Sequence, residues 1–109
     1  MNQQAAAVLS VRDGVIDALR AVYDPEIPVN IYDLGLIYAL EVDEGLGRVR
    51  VLMTLTAPGC PVAQTFPQTV EAMVRRVPGV KDAVVEIVWE PPWTQERMTE
   101  AARLQLGMM

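Results

Sequence analysis

The sequence predicts a small α/β protein of the two-layer α+β type, with the element order α-β-β-α-β-α. Two patterns predict this class: apolar residues recur at helical spacing in three segments, and they alternate with polar residues in three others. At 109 residues the chain fits one domain with a modest core. We therefore expect a single domain over residues 1–109, with residues 1–9 forming a flexible N-terminus.

The first helix is predicted to follow Ser10, because serine is a residue type that caps helix N-termini. Pro25 disfavours helical backbone at Asp24, so the helix should end before that residue. The apolar residues at helical spacing between these limits are Val11, Val15, Ile16, Leu19, Val22 and Tyr23.

Two strands are predicted next, in the segments LIYALEV and RVRVLMTLT, with the turn residues DEGLG between them. The second segment alternates apolar with polar residues, which is typical of a half-buried strand, and the first sets apolar residues along one side. The apolar sets are Leu36, Tyr38, Leu40 and Val42 in the first strand and Val49, Val51, Met53 and Leu55 in the second. The short connection predicts a hairpin.

The second helix is predicted to begin near Phe66, where Thr65 and Gln68 have the spacing of a capping box and Pro67 falls in the first turn. A third strand follows in DAVVEIVWE, and a last helix is expected after Thr94 as its N-cap. The apolar sets are Ala83, Val85, Ile87 and Trp89 for the strand and Met98, Ala101, Ala102 and Leu106 for the helix, which Gly107 should end.

A strand, a helix and a strand in succession favour a parallel crossover. The third strand should therefore run parallel to the second, giving a small mixed three-stranded sheet with helices on one face. The other face should be a solvated surface on which opposite charges pair across strands. The charged residues that alternation assigns to that face are Glu41, Arg48, Arg50 and Glu86.

Composition excludes several classes of function. The chain has no histidine, which removes the usual general base and every histidine-containing zinc site. A net charge of -5 with nine scattered Lys and Arg residues argues against a nucleic-acid partner. Apolar runs are too short for a membrane span, and the first residues lack the pattern of a secretory signal. We therefore expect no nucleic-acid or membrane partner and a location in the reducing cytoplasm.

The segment TLTAPGCP contains the single cysteine, Cys60, where the second strand gives way to the second helix. Unpaired backbone N–H groups at a helix N-terminus favour a thiolate, which is a soft metal ligand and a nucleophile. The supporting residues are Thr56, Pro58, Gly59 and Pro61, in which glycine permits close backbone approach and proline stiffens the loop. The alternative interpretation is that Cys60 is a small buried hydrophobe, and the residues alone leave both open.

Two further segments are candidates. DPEIPVNIYDLG brings the acids Asp24, Glu26 and Asp33 into one loop, where they could hold a hard cation or a partner, or act as solvated acids and turn caps. EPPWTQERM contains Trp93, which is either a partner contact or an apolar plug that holds the last helix.

These three segments, DPEIPVNIYDLGLIY, TLTAPGCP and PPWTQERM, resemble in order and spacing the SufT and PaaD family of iron-sulfur cluster assembly proteins. The resemblance covers about Val11 to Gly107. It implies a compact α/β fold, a role in maturing iron-sulfur proteins rather than turnover of a substrate, and a functional Cys60. It also draws attention to Asp24, Pro25, Glu26 and Asp33.

Iron-sulfur clusters are normally held by four thiolates, and this chain has one cysteine. The expected function is therefore transient binding or delivery of a cluster, with scaffold proteins and apo-client proteins as partners and a homodimer as one possible source of a second thiol. Two alternatives stay open: a thiol redox enzyme that uses Cys60 as nucleophile, and a non-catalytic adaptor that docks clients through the acidic loop and the Trp93 region.

Overall fold

The structure is a computed structural model that describes residues 10–56 and 65–107. Within these ranges the elements are α1 (Val11–Leu19), β1 (Ile37–Asp43), β2 (Arg48–Met53), α2 (Phe66–Arg75), β3 (Asp82–Ile87), a 3-10 turn (Gln95–Arg97) and α3 (Glu100–Gln105). The predicted element order and the two-layer α/β class are confirmed. The flexible N-terminus expected for residues 1–9 lies outside the described residues.

The sheet has the order β1-β2-β3, with β1 antiparallel to β2 and β2 parallel to β3. The mixed three-stranded sheet is therefore as predicted, and β2 is its central strand. The register pairs Met53 at the end of β2 with Ile37 at the start of β1 and with Ile87 at the end of β3. As a result, the parallel strands β2 and β3 end side by side.

Alternate residues of the sheet are buried against the helices. Val15 and Leu19 of α1 and Val70 and Val74 of α2 are fully buried, and α2 packs on both β3 and α1. The sheet residues that face them with little or no exposure are Val49, Val51, Met53 and Ala83. Burying an aliphatic side chain of this size contributes about 1.5 to 3 kcal/mol, so this layer is the main source of stability.

The opposite face of the sheet carries the predicted charge pairs. Arg50 on the central strand contacts Glu41 at 3.2 Å and Glu86 at 3.0 Å, and all three side chains are about half exposed. The hydrogen bond to Glu86, followed by that to Glu41, holds the pKa of the Arg50 guanidinium above its ordinary value. In return, the hydrogen bond from Arg50 holds the pKa of Glu86 below its ordinary value. Arg48 is exposed on the same face.

Two helix boundaries differ from the prediction. The first helix ends at Leu19 rather than near Tyr23, because Ala21 and Val22 donate to carbonyls three residues back and the chain tightens into a turn. The last helix begins after Thr99, whose hydroxyl accepts from the Ala102 N–H at 3.2 Å. Thr94 instead precedes the 3-10 turn and makes no side-chain cap.

Two local predictions also need correction. The second helix begins at Phe66 as predicted, but Thr65 has near-helical backbone angles and its side chain accepts no capping hydrogen bond. The third strand ends at Ile87, and Trp89 is 41 % exposed instead of lying on the core face. In the described ranges, no helix has the length and apolar character needed to cross a membrane.

Candidate functional site

The carboxyl ends of β2 and β3 form the edge of the sheet where the chain leaves in two directions. The Val88 N–H, just after β3, donates to the Met53 carbonyl at the end of β2 at 2.8 Å. Beyond it, one strand continues into Thr54 and the other into Trp89. Ligands of open α/β sheets bind in the crevice outside the carboxyl ends of parallel strands, so this edge is where a site is expected.

A pocket of about 260 Å³ lies at this edge, and we call it the strand-end pocket. Its described walls come from the two segments that follow the strands. They are Thr54, Leu55, Thr56, Trp89, Glu90, Pro92 and Trp93. Both tryptophans of the protein are in this list, so the pocket has an aromatic wall.

Thr54 is the most buried polar residue of the pocket, with 1 % of its surface exposed. Its N–H donates to the Leu36 carbonyl at 2.9 Å, which fixes the backbone as β2 ends. Its hydroxyl has no hydrogen-bond partner among the described residues. An unpaired buried hydroxyl costs about 1 to 3 kcal/mol, and unmet hydrogen-bonding capacity of this kind is often found where a ligand binds.

Trp93 fixes the opposite wall. Its indole Nε1–H donates to the Leu34 carbonyl at 2.7 Å, and its ring packs against the core. Trp93 therefore packs against the core and also lines the strand-end pocket. Its assignment as a partner contact stays a prediction.

Asp24 is a structural centre of the acidic loop. It is 7 % exposed, and its carboxylate Oδ2 accepts from the N–H groups of Glu26 and Ile27, both at 2.8 Å. Glu26 itself is exposed and contributes its backbone to this turn. Thus Asp24 caps the turn, which is one of the two roles the sequence allows for it.

Asp33 has a similar arrangement with Asn30. The Asp33 N–H donates to Asn30 Oδ1 at 2.8 Å, and Asn30 Nδ2 donates back to Asp33 Oδ2 at 2.9 Å. Within the described ranges, Asp24, Glu26 and Asp33 do not converge, and no group of three or more acidic or cysteine side chains is placed to hold a metal ion.

The acidic loop also carries the C-terminal segment. The Asp33 carbonyl accepts from the Thr99 N–H at 2.9 Å, one residue before the Leu34 carbonyl that accepts from Trp93. Gly35, at a φ of 80°, lies against the backbone of Arg97 so closely that a Cβ would collide with the Arg97 carbonyl. The loop therefore positions Trp93, and with it one wall of the strand-end pocket.

Cys60, Pro58, Gly59 and Pro61 lie outside the described residues, and their site roles stay predictions. Thr56, the fifth predicted residue of this set, is the last described residue before them and lines the strand-end pocket. Four peptide units separate Thr56 from Cys60, so connectivity alone limits their Cα–Cα distance to about 14 Å. The sequence therefore keeps Cys60 within four residues of the pocket wall.

A protein-family model described as iron-sulfur cluster assembly protein matches residues 12–87, which is most of the chain. The chain belongs to this family. The match includes nearly all of α1, the sheet and α2, together with the segments DPEIPVNIYDLGLIY and TLTAPGCP, and it confirms the family resemblance. The segment PPWTQERM follows the match. Trp89 and Trp93 come after the matched region.

Curated relatives of this family extend over nearly the whole chain. An Fe-S protein maturation auxiliary factor of Porphyromonas gingivalis is 46 % identical, covering 93 % of this chain and 95 % of the relative. The Fe-S protein maturation auxiliary factor SufT of Staphylococcus aureus is 40 % identical, covering 80 % of this chain and 98 % of the relative.

Among solved structures, a Bacillus anthracis domain described as DUF59, of unknown function, has a TM-score of 0.81 at 37 % identity. The match covers 91 % of this chain and 93 % of the solved chain. The fold of this chain is therefore shared with that domain over nearly the whole match.

Sequence reasoning missed Thr54, Trp89 and Glu90 as pocket residues. Period-2 alternation assigns Thr54 to the polar side of its strand, yet Met53, Thr54 and Leu55 are all buried. The sequence offered two signals: Thr54 interrupts an apolar run, and the later segment WEPPW is rich in tryptophan and proline.

Proposed function

We propose that this protein is a maturation factor for iron-sulfur proteins that binds a cluster transiently through Cys60 and delivers it to client proteins. The observation that carries the proposal is membership of the iron-sulfur cluster assembly family, together with the place of Cys60 in the sequence, four residues after Thr56 of the strand-end pocket. The cluster is cargo in this role, so no substrate turnover and no catalytic residue is required.

The connection that holds Cys60 is anchored at both ends. On one side, the Thr54 N–H is held by the Leu36 carbonyl and Leu55 is 5 % exposed. On the other side, Phe66 is 9 % exposed at the start of α2, with Pro67 in the first turn. The two described ends of the segment that contains Cys60 are therefore fixed.

Incomplete ligation favours release. A cluster normally takes four thiolates, and this chain supplies one. The remaining ligands would come from a second copy of the chain, from low-molecular-weight thiols or from the cysteines of the scaffold or client protein. Such a cluster exchanges ligands readily, which suits delivery and requires a reducing compartment such as the cytoplasm.

The acidic loop does not compete for this role in the described part of the structure. Asp24 and Asp33 use their carboxylates to accept hydrogen bonds within the loop, and Glu26 is on the surface. The soft thiolate is also the better match for iron and sulfide than a hard carboxylate. We therefore assign the loop a scaffolding role and the cluster to Cys60.

The test is anaerobic reconstitution of the full chain with iron and sulfide, followed by visible absorption and iron content. Wild type should take up iron and sulfide and develop charge-transfer bands, whereas Cys60→Ala should retain less than about a tenth of the bound iron, because the chain has no other thiol. Equal iron uptake by both proteins would contradict the assignment.

A relocated thiol provides the matched control. Val84 is 42 % exposed on the outer face of β3, so Cys60→Ala combined with Val84→Cys keeps one accessible thiol but moves it. The proposal expects little uptake by this double variant. Uptake equal to wild type would show that any exposed thiol suffices and that the position of Cys60 has no special role. Peroxide consumption that depends on Cys60, without iron uptake, would favour the redox enzyme instead.

A further inference from the structure

The strand-end pocket has a chemical character that the cluster-binding role does not explain. Its described lining residues include two tryptophans, one glutamate and two threonines, and none of them is a lysine or an arginine. At about 260 Å³ it is slightly smaller than the usual pocket for a small-molecule ligand, which spans about 300 to 1,000 Å³. This size suits a single protruding side chain.

The geometry points to a docking site for a basic side chain, arginine or lysine, of the protein that exchanges a cluster with this one. The identity of that partner rests on the proposed function, but the chemistry of the pocket does not. Tryptophan is the aromatic residue that attracts a cation most strongly, and Trp89 is 41 % exposed.

Glu90 adds a charge of the right sign. It is exposed beside Trp89 and lines the same pocket, so an incoming cation meets an indole and a carboxylate together. The net charge of the whole chain is -5, which attracts cationic partners at longer range. Charge complementarity therefore favours a basic partner over an acidic or neutral one.

Two further features fit a hydrogen-bond donor. Thr54 lines the pocket, and its hydroxyl has no partner among the described residues, so its lone pairs are available to an N–H donor that reaches it. Trp93 is held rigidly by its bond to the Leu34 carbonyl, so its ring requires little reordering on binding. A guanidinium, with five donors and a flat face that stacks on indole, matches this lining best.

The pocket is close in sequence to Cys60, so docking there could assist the transfer of a cluster. Thr56 lines the pocket and lies four residues before Cys60, so a side chain bound there would bring the partner surface near the thiol. Close, oriented approach is what ligand exchange between two proteins requires.

The test uses the full-length protein without a cluster and intrinsic tryptophan emission, because Trp89 and Trp93 are the only tryptophans and both line the pocket. The probe is an N-acetylated heptapeptide of glycine and serine with one central arginine, and its match carries citrulline in place of arginine. The arginine peptide should change the emission saturably, with an affinity at least about fivefold higher than the citrulline peptide, since the two differ in charge. Equal responses would overturn the inference.

Glu90→Gln should weaken the arginine peptide about threefold or more, because the variant removes the only carboxylate in the described lining. Glu96→Gln is the matched control, since Glu96 is exposed in the same C-terminal segment but does not line the pocket. Equal weakening by both variants would show general charge attraction and overturn a specific site.

Spermidine separates a protein partner from a small polyamine. If spermidine acts at lower concentration than the arginine peptide, the pocket is a polyamine site and the docking role is wrong. Because these titrations need no cluster, they can fail while iron uptake by wild type stays intact. The reverse result, peptide binding without iron uptake, would leave the pocket in place and remove the proposed function.

Discussion

The acidic loop and the strand-end pocket differ in how completely their polar groups are paired. In the loop, Asp24 and Asp33 are satisfied by neighbouring groups within a few residues. In the pocket, the Thr54 hydroxyl has no partner among the described residues, and Trp89 exposes a large part of its ring. The loop thus supports the fold, and the pocket has polar and aromatic groups that are free to bind a partner.

The largest expected effect is on stability, where the two tryptophans should differ. Trp93→Ala should lower the free energy of unfolding by about 3 kcal/mol, because it removes a packed indole and its bond to the Leu34 carbonyl. Trp89→Ala should cost less, about 2 kcal/mol or below, because this residue is 41 % exposed and is not among those packed against the core. Urea unfolding of both variants measures the difference, and equal losses would remove the distinction between an anchored and an available tryptophan.

Substitution of Asp24 tests whether the acidic loop stabilises the fold rather than binding iron. Asp24→Ala should destabilise the fold by about 1 to 2 kcal/mol, because two backbone N–H groups lose their acceptor in a mostly buried turn. Iron uptake at a temperature where the variant is folded should stay at the wild-type level.

Glu26→Ala is the control for that experiment, since Glu26 is exposed in the same loop. Its effect on stability should stay within about 0.5 kcal/mol. Loss of iron uptake in either variant, with the fold retained, would make the acidic loop a ligand rather than a scaffold.

Thr54→Val tests the unpaired hydroxyl of the pocket. Valine has nearly the same shape, so removing the hydroxyl should raise the free energy of unfolding by about 1 kcal/mol. The same variant should bind the arginine heptapeptide more weakly, which separates a stability effect from a binding effect. A loss of stability in urea would mean that the hydroxyl is already satisfied.

The smallest effect is expected on the outer face of the sheet, where charges are paired but exposed. The hydrogen bond from Arg50 lowers the pKa of Glu86, so the folded protein binds a proton there less readily than the unfolded chain. The stabilisation is therefore present above the ordinary glutamate pKa and is lost as the pH falls through the lower folded pKa.

Glu86→Gln should accordingly reduce the loss of stability that occurs as the pH falls below the ordinary glutamate pKa, while changing little at low pH. Thermal unfolding against pH for both proteins measures this, and salt should shrink the difference because the pair is exposed. A variant with an unchanged acid profile would show that the Arg50–Glu86 pair contributes nothing to stability.

Much of the fold followed from the sequence, because periodic apolar patterns persist over whole strands and helices. The alternation of Val49, Val51 and Met53 identified the central strand, and the crossover rule gave β3 its direction. The end of the chain was harder, because Thr94 and Thr99 are both residue types that cap helices. The choice between them depends on burying Met98 in an extended conformation before α3 starts.

The pocket could not be predicted because it depends on contacts between distant residues. Trp93 and Leu34 are 59 residues apart, and their hydrogen bond sets the pocket wall. Thr54 follows the strand pattern locally, and alternation gives no sign that it is buried beside the pocket. Residues that depend on such packing have no periodic signal in the sequence.

The most direct test of the central claim is transfer of a cluster from the reconstituted protein to an apo-ferredoxin, followed anaerobically by circular dichroism. The wild-type protein, loaded through Cys60, should convert the ferredoxin with a rate that rises with its concentration. Cys60→Ala, mixed with the same iron and sulfide, should convert it no faster than those ions alone. Conversion by Cys60→Ala at the wild-type rate would contradict delivery through this thiol.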